Sequence, residues 1–316
     1  IASCLVGSEM CIRDRVMRTR EHLDAVIKAY DVRGVVGEDI DENFVRDTGA
    51  AFAAILREEG ENTVAVGHDM RPSSPSLARA FAEGVTSQGL NVTLLGLTST
   101  DELYYAAGSL ECAGAMFTAS HNPAKYNGIK LCRAGAVPVG QETGLEQIKQ
   151  MLIDGTPEFT GTEGAIAEQE ILAGYADFLR KLVPLEDSKP LVVAVDAANG
   201  MGGHTVPAVF NGLPFDVRDL YFELDGTFPN HEANPLDPKN LVDLQKFTVD
   251  QKADIGLAFD GDADRCFVVD EKGQPVSPSA ICALVAERYL EKFPGATIIH
   301  NLITSKTVPE LIKEKG

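Results

Sequence analysis

The sequence is poor in the features that would mark it as secreted, metal-stapled or membrane-bound. Its six cysteines (Cys4, Cys11, Cys112, Cys132, Cys266, Cys282) are scattered, and no two form a C-x-x-C pair. A chain of this length can bury a core without staples, so neither a disulfide framework nor a zinc site is expected. No run approaches the roughly 18 consecutive apolar residues of a membrane-spanning helix, and no basic stretch precedes an apolar one as in a secretory signal. The expectation is a cytoplasmic protein. Clusters of five or six basic residues are also missing, and 28 Lys and Arg against 47 Asp and Glu leave a net charge of −19. Such a field repels nucleic acid and anionic membranes, so neither is an expected partner.

What is present is an ordinary globular composition, 44% hydrophobic and 24% charged, in 316 residues, a length that suits two or three domains. Short β-branched runs alternate with longer amphipathic segments. That pattern predicts an α/β fold of successive related units, with mixed, largely parallel sheets and helical crossovers. Strands are expected at 63–66, 92–95, 115–118, 191–195, 255–259, 266–269 and 297–299. Phe44, Thr48, Ala51, Phe52, Ile55 and Leu56 share one helical face, as do Leu77, Phe81 and Val85, and these faces read as core. The Gly, Thr and Pro of DGTPEFTGTEG (154–164) read as a linker, and DEKGQPVSP (270–278) as a second one. The expected organisation is a non-native or disordered tail at 1–23, a first unit at 24–159, a second at 160–269 and a partial third at 270–316. A loose repeat supports related units: VAVGHDMR (64–71), VAVDAANGMGG (193–203) and IIHNLITSK (298–306) each run from an apolar strand through a polar turn into a helix.

One segment carries most of the chemical signal. DGDADR (260–265) follows the apolar strand IGLAF, and its carboxylates Asp260, Asp262 and Asp264 can converge only on a tight loop, which Gly261 and Ala263 permit. Converging carboxylates call for a hard cation, Mg²⁺ or Ca²⁺. A calcium EF-hand is excluded because its sixth position needs Gly and holds Arg265 here. An aspartyl phosphatase loop with Asp260 as nucleophile, or a solvated acidic turn, remains an alternative.

Weaker segments surround it. In TASHNPAKYNGIK (118–130), Ser120 sits where a hydroxyl can project into a cleft, as nucleophile or as phosphate carrier. His121 and Lys130 offer proton transfer or charge neutralisation, and Asn127-Gly128 reads as a turn that returns Lys130 toward Ser120. The alternative is a hydroxyl-rich turn with capping duties. Arg33 in AYDVRG (29–34) could grip phosphate. Arg71 in GHDMRPSSP (67–75) could do the same, beside Ser73 and Ser74 as helix caps. DGTFPNHEANP (225–235), with His231, reads equally as an active-site loop or an ordinary turn.

Taken together and in this order, these segments resemble the α-D-phosphohexomutase family of phosphomannomutases and phosphoglucomutases. The family has four domains, of which the first two look whole here, the third partial and the fourth missing. The resemblance implies that Ser120 carries the transferred phosphoryl group, that Asp260, Asp262 and Asp264 hold Mg²⁺ with Ser120 beside them, and that Arg265 stands next to the metal. Arg33, Lys130 and His121 would lie close to the phosphoserine, and Arg71 and His231 are further candidates for substrate contact. Lys130, its pKa lowered by Arg33, is the expected base, with His121 second. The implied reaction interconverts hexose 6-phosphate and hexose 1-phosphate through hexose 1,6-bisphosphate. A chain without the sugar-binding parts would be inactive or nearly so alone. A phosphatase and a noncatalytic Mg²⁺-binding module remain the competing functions.

Overall fold

The apolar runs of the first half gather into one sheet. In a computed structural model, which describes residues 19–315, its strands are β1 (Val32–Val35), β2 (Thr63–His68), β3 (Asn91–Leu97), β4 (Ala113–Phe117), β5 (Tyr126–Arg133), β6 (Val137–Pro138) and β7 (Ile166–Glu168). They lie in the order β1-β5-β4-β2-β3-β7, with β6 paired to β5. The pairs β4-β2, β2-β3 and β3-β7 are parallel, while β1 and β4 each run antiparallel to β5. Helices α1 (Arg20–Val26), α2 (Glu42–Glu58), α3 (Ser74–Ser87), α4 (Thr100–Ser109) and α5 (Glu146–Asp154) connect or flank the strands. β4 is buried along its whole length, which is why it reads as an unbroken apolar run rather than an alternation.

The second layer repeats the logic on a smaller scale. Helix α6 (Leu172–Leu182) leads to β8 (Leu191–Asp196), α7 (Gly202–Phe210), β9 (Phe215–Leu220), α8 (Val242–Asp250), β10 (Ile255–Phe259) and β11 (Cys266–Asp270). The sheet order is β11-β10-β8-β9, parallel except for the antiparallel β10-β11 edge that the acidic loop closes. Two further helices, α9 (Pro278–Lys292) and α10 (Thr307–Lys315), pack on each other.

Several expectations change. The expected tail covers residues of α1: Thr19 caps it, its hydroxyl accepting from the His22 N–H at 3.2 Å, and Leu23 is fully buried. Residues 1–18 of that tail lie outside the described ones. The strand expected at 297–299 is not formed, because a strand exists only by pairing and Ile299 stands 90% exposed with no neighbouring strand among the described residues. The third repeat therefore lacks its strand, whereas the first two run β2 to α3 and β8 to α7 as the pattern predicts. Asn127-Gly128 is no turn but the middle of β5, where Asn127 Nδ2 donates to Ser73 and Ser74 Oγ at 2.8 and 2.9 Å. Those serines thus serve Asn127 and not the end of α3, whose N-cap Ser73 makes no side-chain capping bond. After the 154–164 linker, β7 still joins the first sheet through β3, so the first layer reaches past residue 160.

Helices α2 and α3 cross at two glycines: a Cβ on Gly49 would lie 2.4 Å from the Phe81 carbonyl oxygen, and one on Gly84 2.0 Å from that of Arg46. In Gly84→Ala, the helix-propensity gain of about 1 kcal/mol competes with an overpacking cost of about 1 to 3 kcal/mol or more. The clash is with backbone, which cannot swing away, so a lower Tm is expected in thermal denaturation. A stabilised variant would show that the helices are not in contact there.

A second prediction concerns α4, whose start is fixed by a reciprocal cap. Ser99 Oγ accepts from the Glu102 N–H and Glu102 Oε2 accepts from the Ser99 N–H, both at 3.2 Å. Glu102 is 1% exposed, and burial pushes its pKa up to about 7 from an ordinary 4.5. His204 Nε2, 3.7 Å away, is held below its usual pKa by burial and brings no compensating charge. The folded state therefore keeps a proton that the unfolded chain has lost, and stability falls as pH rises through this interval. Glu102→Gln keeps the capping acceptor without the charge. Its Tm should match the parent near pH 4 and exceed it near pH 8, where the ionised carboxyl costs up to about 3 kcal/mol. Equal melting at the higher pH would mean that the carboxylate is compensated.

Candidate functional site

The two layers meet where β4 and β10 end. Beyond β4 the chain turns at Ser120, which takes a left-handed φ of 50° and is 4% exposed. Beyond β10 the acidic loop turns at Ala263, with φ 57°. The loops touch so closely that a Cβ on Gly261 would lie 2.4 Å from the Ser120 carbonyl oxygen, so only glycine fits. This contact sets Ser120 against the triad. Its hydroxyl donates to Asp260 Oδ2 at 2.9 Å and accepts from Arg265 Nη2 at 2.6 Å, with His121 Nδ1 at 3.4 Å.

Asp260, Asp262 and Asp264 present ligand oxygens all within 4.8 Å of one another, and among the described residues no other group of His, Cys, Asp and Glu does so. Asp260 accepts from the backbone N–H of Arg265 at 3.0 Å and from its guanidinium. Asp262 Oδ2 accepts from Thr100 Oγ1 and from Lys130 Nζ, each at 2.6 Å, and Asp264 Oδ2 accepts from Lys130 Nζ at 2.7 Å. Lys130 arrives because β5 is antiparallel to β4, with Lys130 opposite Met116.

The triad is a candidate cation site. Three carboxylates face two compensating charges, Lys130 and Arg265, which leaves one negative charge over. Asp262 Oδ1 is buried with no hydrogen-bond partner, an arrangement that costs free energy unless something positive meets it. Burial and then Asp262 and Asp264 push the Asp260 carboxyl above its usual range, which marks the same surplus. The donors are carboxylate oxygens with the Ser120 hydroxyl beside them, so a hard cation fits the residues present.

The expected residues do not all converge. Ser120, His121, Lys130, Arg265 and the triad do. Arg33 reaches the same loop, donating from Nη1 to Asn122 Oδ1 at 2.9 Å and from Nη2 to Asp31 Oδ2 at 2.6 Å, and its buried Nε has no partner. Arg71 does not face a substrate. Its guanidinium is fully buried, and all five N–H groups are spent: on Asp69, and on the carbonyls of Ser120, Asn122, Pro123 and Tyr126 at 2.7 to 3.1 Å. It is the staple of the serine loop. His231 is likewise occupied, Nε2 by Asp196 at 3.0 Å and Nδ1 by the Glu232 carbonyl at 2.9 Å. Its segment packs between the layers, with the Phe228 ring 5.0 Å from the Arg71 guanidinium and Ala233 beside Gly261. Lys130 does not show the lowered pKa expected from Arg33. Burial would lower its pKa, but Asp262 and Asp264 outweigh burial and hold it above the ordinary value. Burial, then Arg265 and Arg33, keep His121 below its usual value, and its Nδ1 accepts from Arg265 Nη2 at 2.6 Å.

Thr100 escaped the sequence reading. The Ser99-x-x-Glu102 box announces a helix start, but nothing local points across 162 residues to Asp262.

Two family descriptions match the chain: "Phosphoglucomutase/phosphomannomutase, alpha/beta/alpha domain I" over residues 24–157 and domain II of the same family over residues 173–273. Among curated proteins, it is 37% identical to a phosphomannomutase of Salmonella montevideo over 87% of this chain and 61% of that protein. It is 36% identical to a phosphoglucomutase of Neisseria meningitidis serogroup B, over 92% of this chain and 63% of that one. Among solved structures, a phosphoglucomutase/phosphomannomutase family protein of Burkholderia thailandensis superposes with a TM-score of 0.86 at 32% identity, covering 92% of this chain and 64% of that one. The chain thus spans less than two thirds of the length of these relatives. With the fold, the motifs and both domain matches in agreement, the chain belongs to the α-D-phosphohexomutase family.

Proposed function

We propose that this chain carries the phosphoryl-transfer centre of a hexose-phosphate mutase that interconverts hexose 6-phosphate and hexose 1-phosphate, with Ser120 as the phosphate carrier and hexose 1,6-bisphosphate as the intermediate. The observation that carries the reading is the contact between the Ser120 hydroxyl and Asp260, a member of the acidic triad, at 2.9 Å. Phosphoryl transfer demands little covalent work from a protein and much charge stabilisation and alignment. Asp260, Asp262 and Asp264, with Ser120 beside them, would hold Mg²⁺, which favours oxygen donors and commonly leaves positions for phosphate oxygens. When bound, the ion would supply positive charge against the phosphoryl oxygens.

The chain's own groups do the rest. Arg265 Nη2 sits 2.6 Å from Ser120 Oγ, placed to meet a phosphoryl oxygen on that atom, and the unpartnered Nε of Arg33 is a second open donor. Phosphorylation of Ser120 breaks a sugar O–P bond and forms Oγ–P, so Oγ must lose its proton. The acceptor in reach is Asp260 Oδ2, since His121 Nδ1, 3.4 Å away, already accepts from Arg265 Nη2 at 2.6 Å, and the leaving sugar oxygen takes a proton up. In the reverse transfer a sugar hydroxyl loses its proton instead, and Ser120 Oγ takes one up. Lys130 stays charged and steadies Asp262 and Asp264. An aspartyl phosphatase is the weaker reading, because the matched family models and the similar curated proteins are mutases.

Incubation with a hexose 1,6-bisphosphate, followed by peptide mass spectrometry, is expected to find phosphate on Ser120 and none in Ser120→Ala. Phosphate on an aspartate in place of Ser120 would overturn the assignment. Asp262→Asn is expected to weaken Mg²⁺ binding by about tenfold or more in calorimetric titration, with cooperative unfolding retained. Unchanged affinity would remove Asp262 from the ligand set.

A further inference from the structure

Asp262 is held from both sides, and its two oxygens are treated differently. Oδ2 accepts from Thr100 Oγ1 and from Lys130 Nζ, both at 2.6 Å, while Oδ1 is buried and has no partner. The direction of the Thr100 bond is fixed by its surroundings. Lys130 Nζ also lies 3.4 Å from Thr100 Oγ1, and an ammonium can only donate. The threonine oxygen is therefore the acceptor toward Lys130, and its single proton goes to Asp262. The main chain adds a second tie, from the Thr100 N–H to the Asp262 carbonyl at 3.2 Å. Thr100 is fully buried at the first position of α4, which the cap of Ser99 and Glu102 holds in place.

We infer that Thr100 is a positioning residue for the cation site: by occupying Oδ2 of Asp262 it fixes the carboxylate so that Oδ1 is the oxygen turned to the metal. The inference rests on the cation reading of the triad given above. It follows from hydrogen-bond capacity. A carboxylate free to rotate about its Cβ–Cγ bond would share both oxygens between Lys130 and the ion. One whose Oδ2 already receives two strong donors loses both if it turns. Groups that orient a metal ligand in this way commonly change affinity by about 10- to 100-fold when removed. The arrangement also couples the two layers, since Thr100 belongs to the first and Asp262 to the second. Metal affinity thus depends on how α4 docks against the acidic loop.

The test is calorimetric titration of the full chain with Mg²⁺. Thr100→Val removes the hydroxyl at nearly constant volume and leaves the main-chain bond to Asp262. It is expected to weaken Mg²⁺ by about tenfold or more, with a lower Tm in chelator but cooperative unfolding retained. Thr100→Ser, which keeps the donor, is expected to restore most of the affinity, a rescue that a purely packing role would not predict. Thr100→Ala removes the same donor without a branched side chain and should bind as weakly as the valine variant. If a folded valine or alanine variant binds Mg²⁺ as tightly as the parent, the inference falls while the cation site stands. If the parent itself does not bind Mg²⁺, the cation reading fails and takes the inference with it. Unfolding of both variants would make Thr100 structural and likewise overturn the proposal.

Discussion

The meeting of one ammonium with two carboxylates governs how this molecule is put together. Lys130, on a strand of the first sheet, lies 2.6 and 2.7 Å from Asp262 and Asp264, on a loop of the second. Asp262 is fully buried, so neither layer could present its half of this contact to the other side without a substitute for water. Removing one partner of a buried pair costs more than the pair is worth, because it strands the other charge. The contact is therefore weak as a source of stability and strong as a constraint: it admits one mutual placement of β5 and the acidic loop. The approach of Gly261 to the Ser120 carbonyl imposes the same placement by shape.

Charge near the serine differs from the charge of the chain as a whole. The net charge of −19 acts beyond the contact range, where salt screens it over about 8 to 10 Å. Arg265 contacts the serine hydroxyl, Arg33 contacts Asn122 in the same loop, and Lys130 contacts the triad. Arg71 belongs to a different class of cation. It is saturated by four carbonyls and Asp69, so its charge is spent on geometry and none of its donors is left for a phosphate.

How much of this was legible depends on whether the signal is local. DGDADR declares itself because three carboxylates at alternate positions have no other economical use on a tight loop, and the strand before it is plainly apolar. Asn127-Gly128 misleads for the same reason: the pair favours a turn in isolation, yet here the asparagine amide serves Ser73 and Ser74, and the glycine lets β5 pass 2.2 Å, measured from an added Cβ, from the Val32 carbonyl oxygen. Arg71 was visible as a cation after a strand, but its use is set by carbonyls some 50 residues on, at separations of 49 to 55. Thr100 had no signal of its own, because its partner lies in another layer. At 297–299 the residues suit a strand, but a strand is a relation between segments, and no partner stands beside this one among the described residues.

The serine loop shows why so much hydrogen bonding is invested in holding one hydroxyl. A left-handed φ at a non-glycine residue such as Ser120 costs about 1 to 3 kcal/mol, and it persists only where the surroundings dictate it. Here they do. Thr118 Oγ1 accepts from the Ser120 N–H at 2.8 Å, Arg71 takes the Ser120 carbonyl at 3.0 Å, and Arg265 and Asp260 take the hydroxyl. Every polar atom of the residue has a partner before any ligand arrives. The entropy of placing the hydroxyl is then met during folding, which is what the proposed role of phosphate carrier would require of it. A loop relaxed to ordinary φ would aim the hydroxyl elsewhere, and the triad on the opposite layer would face only backbone.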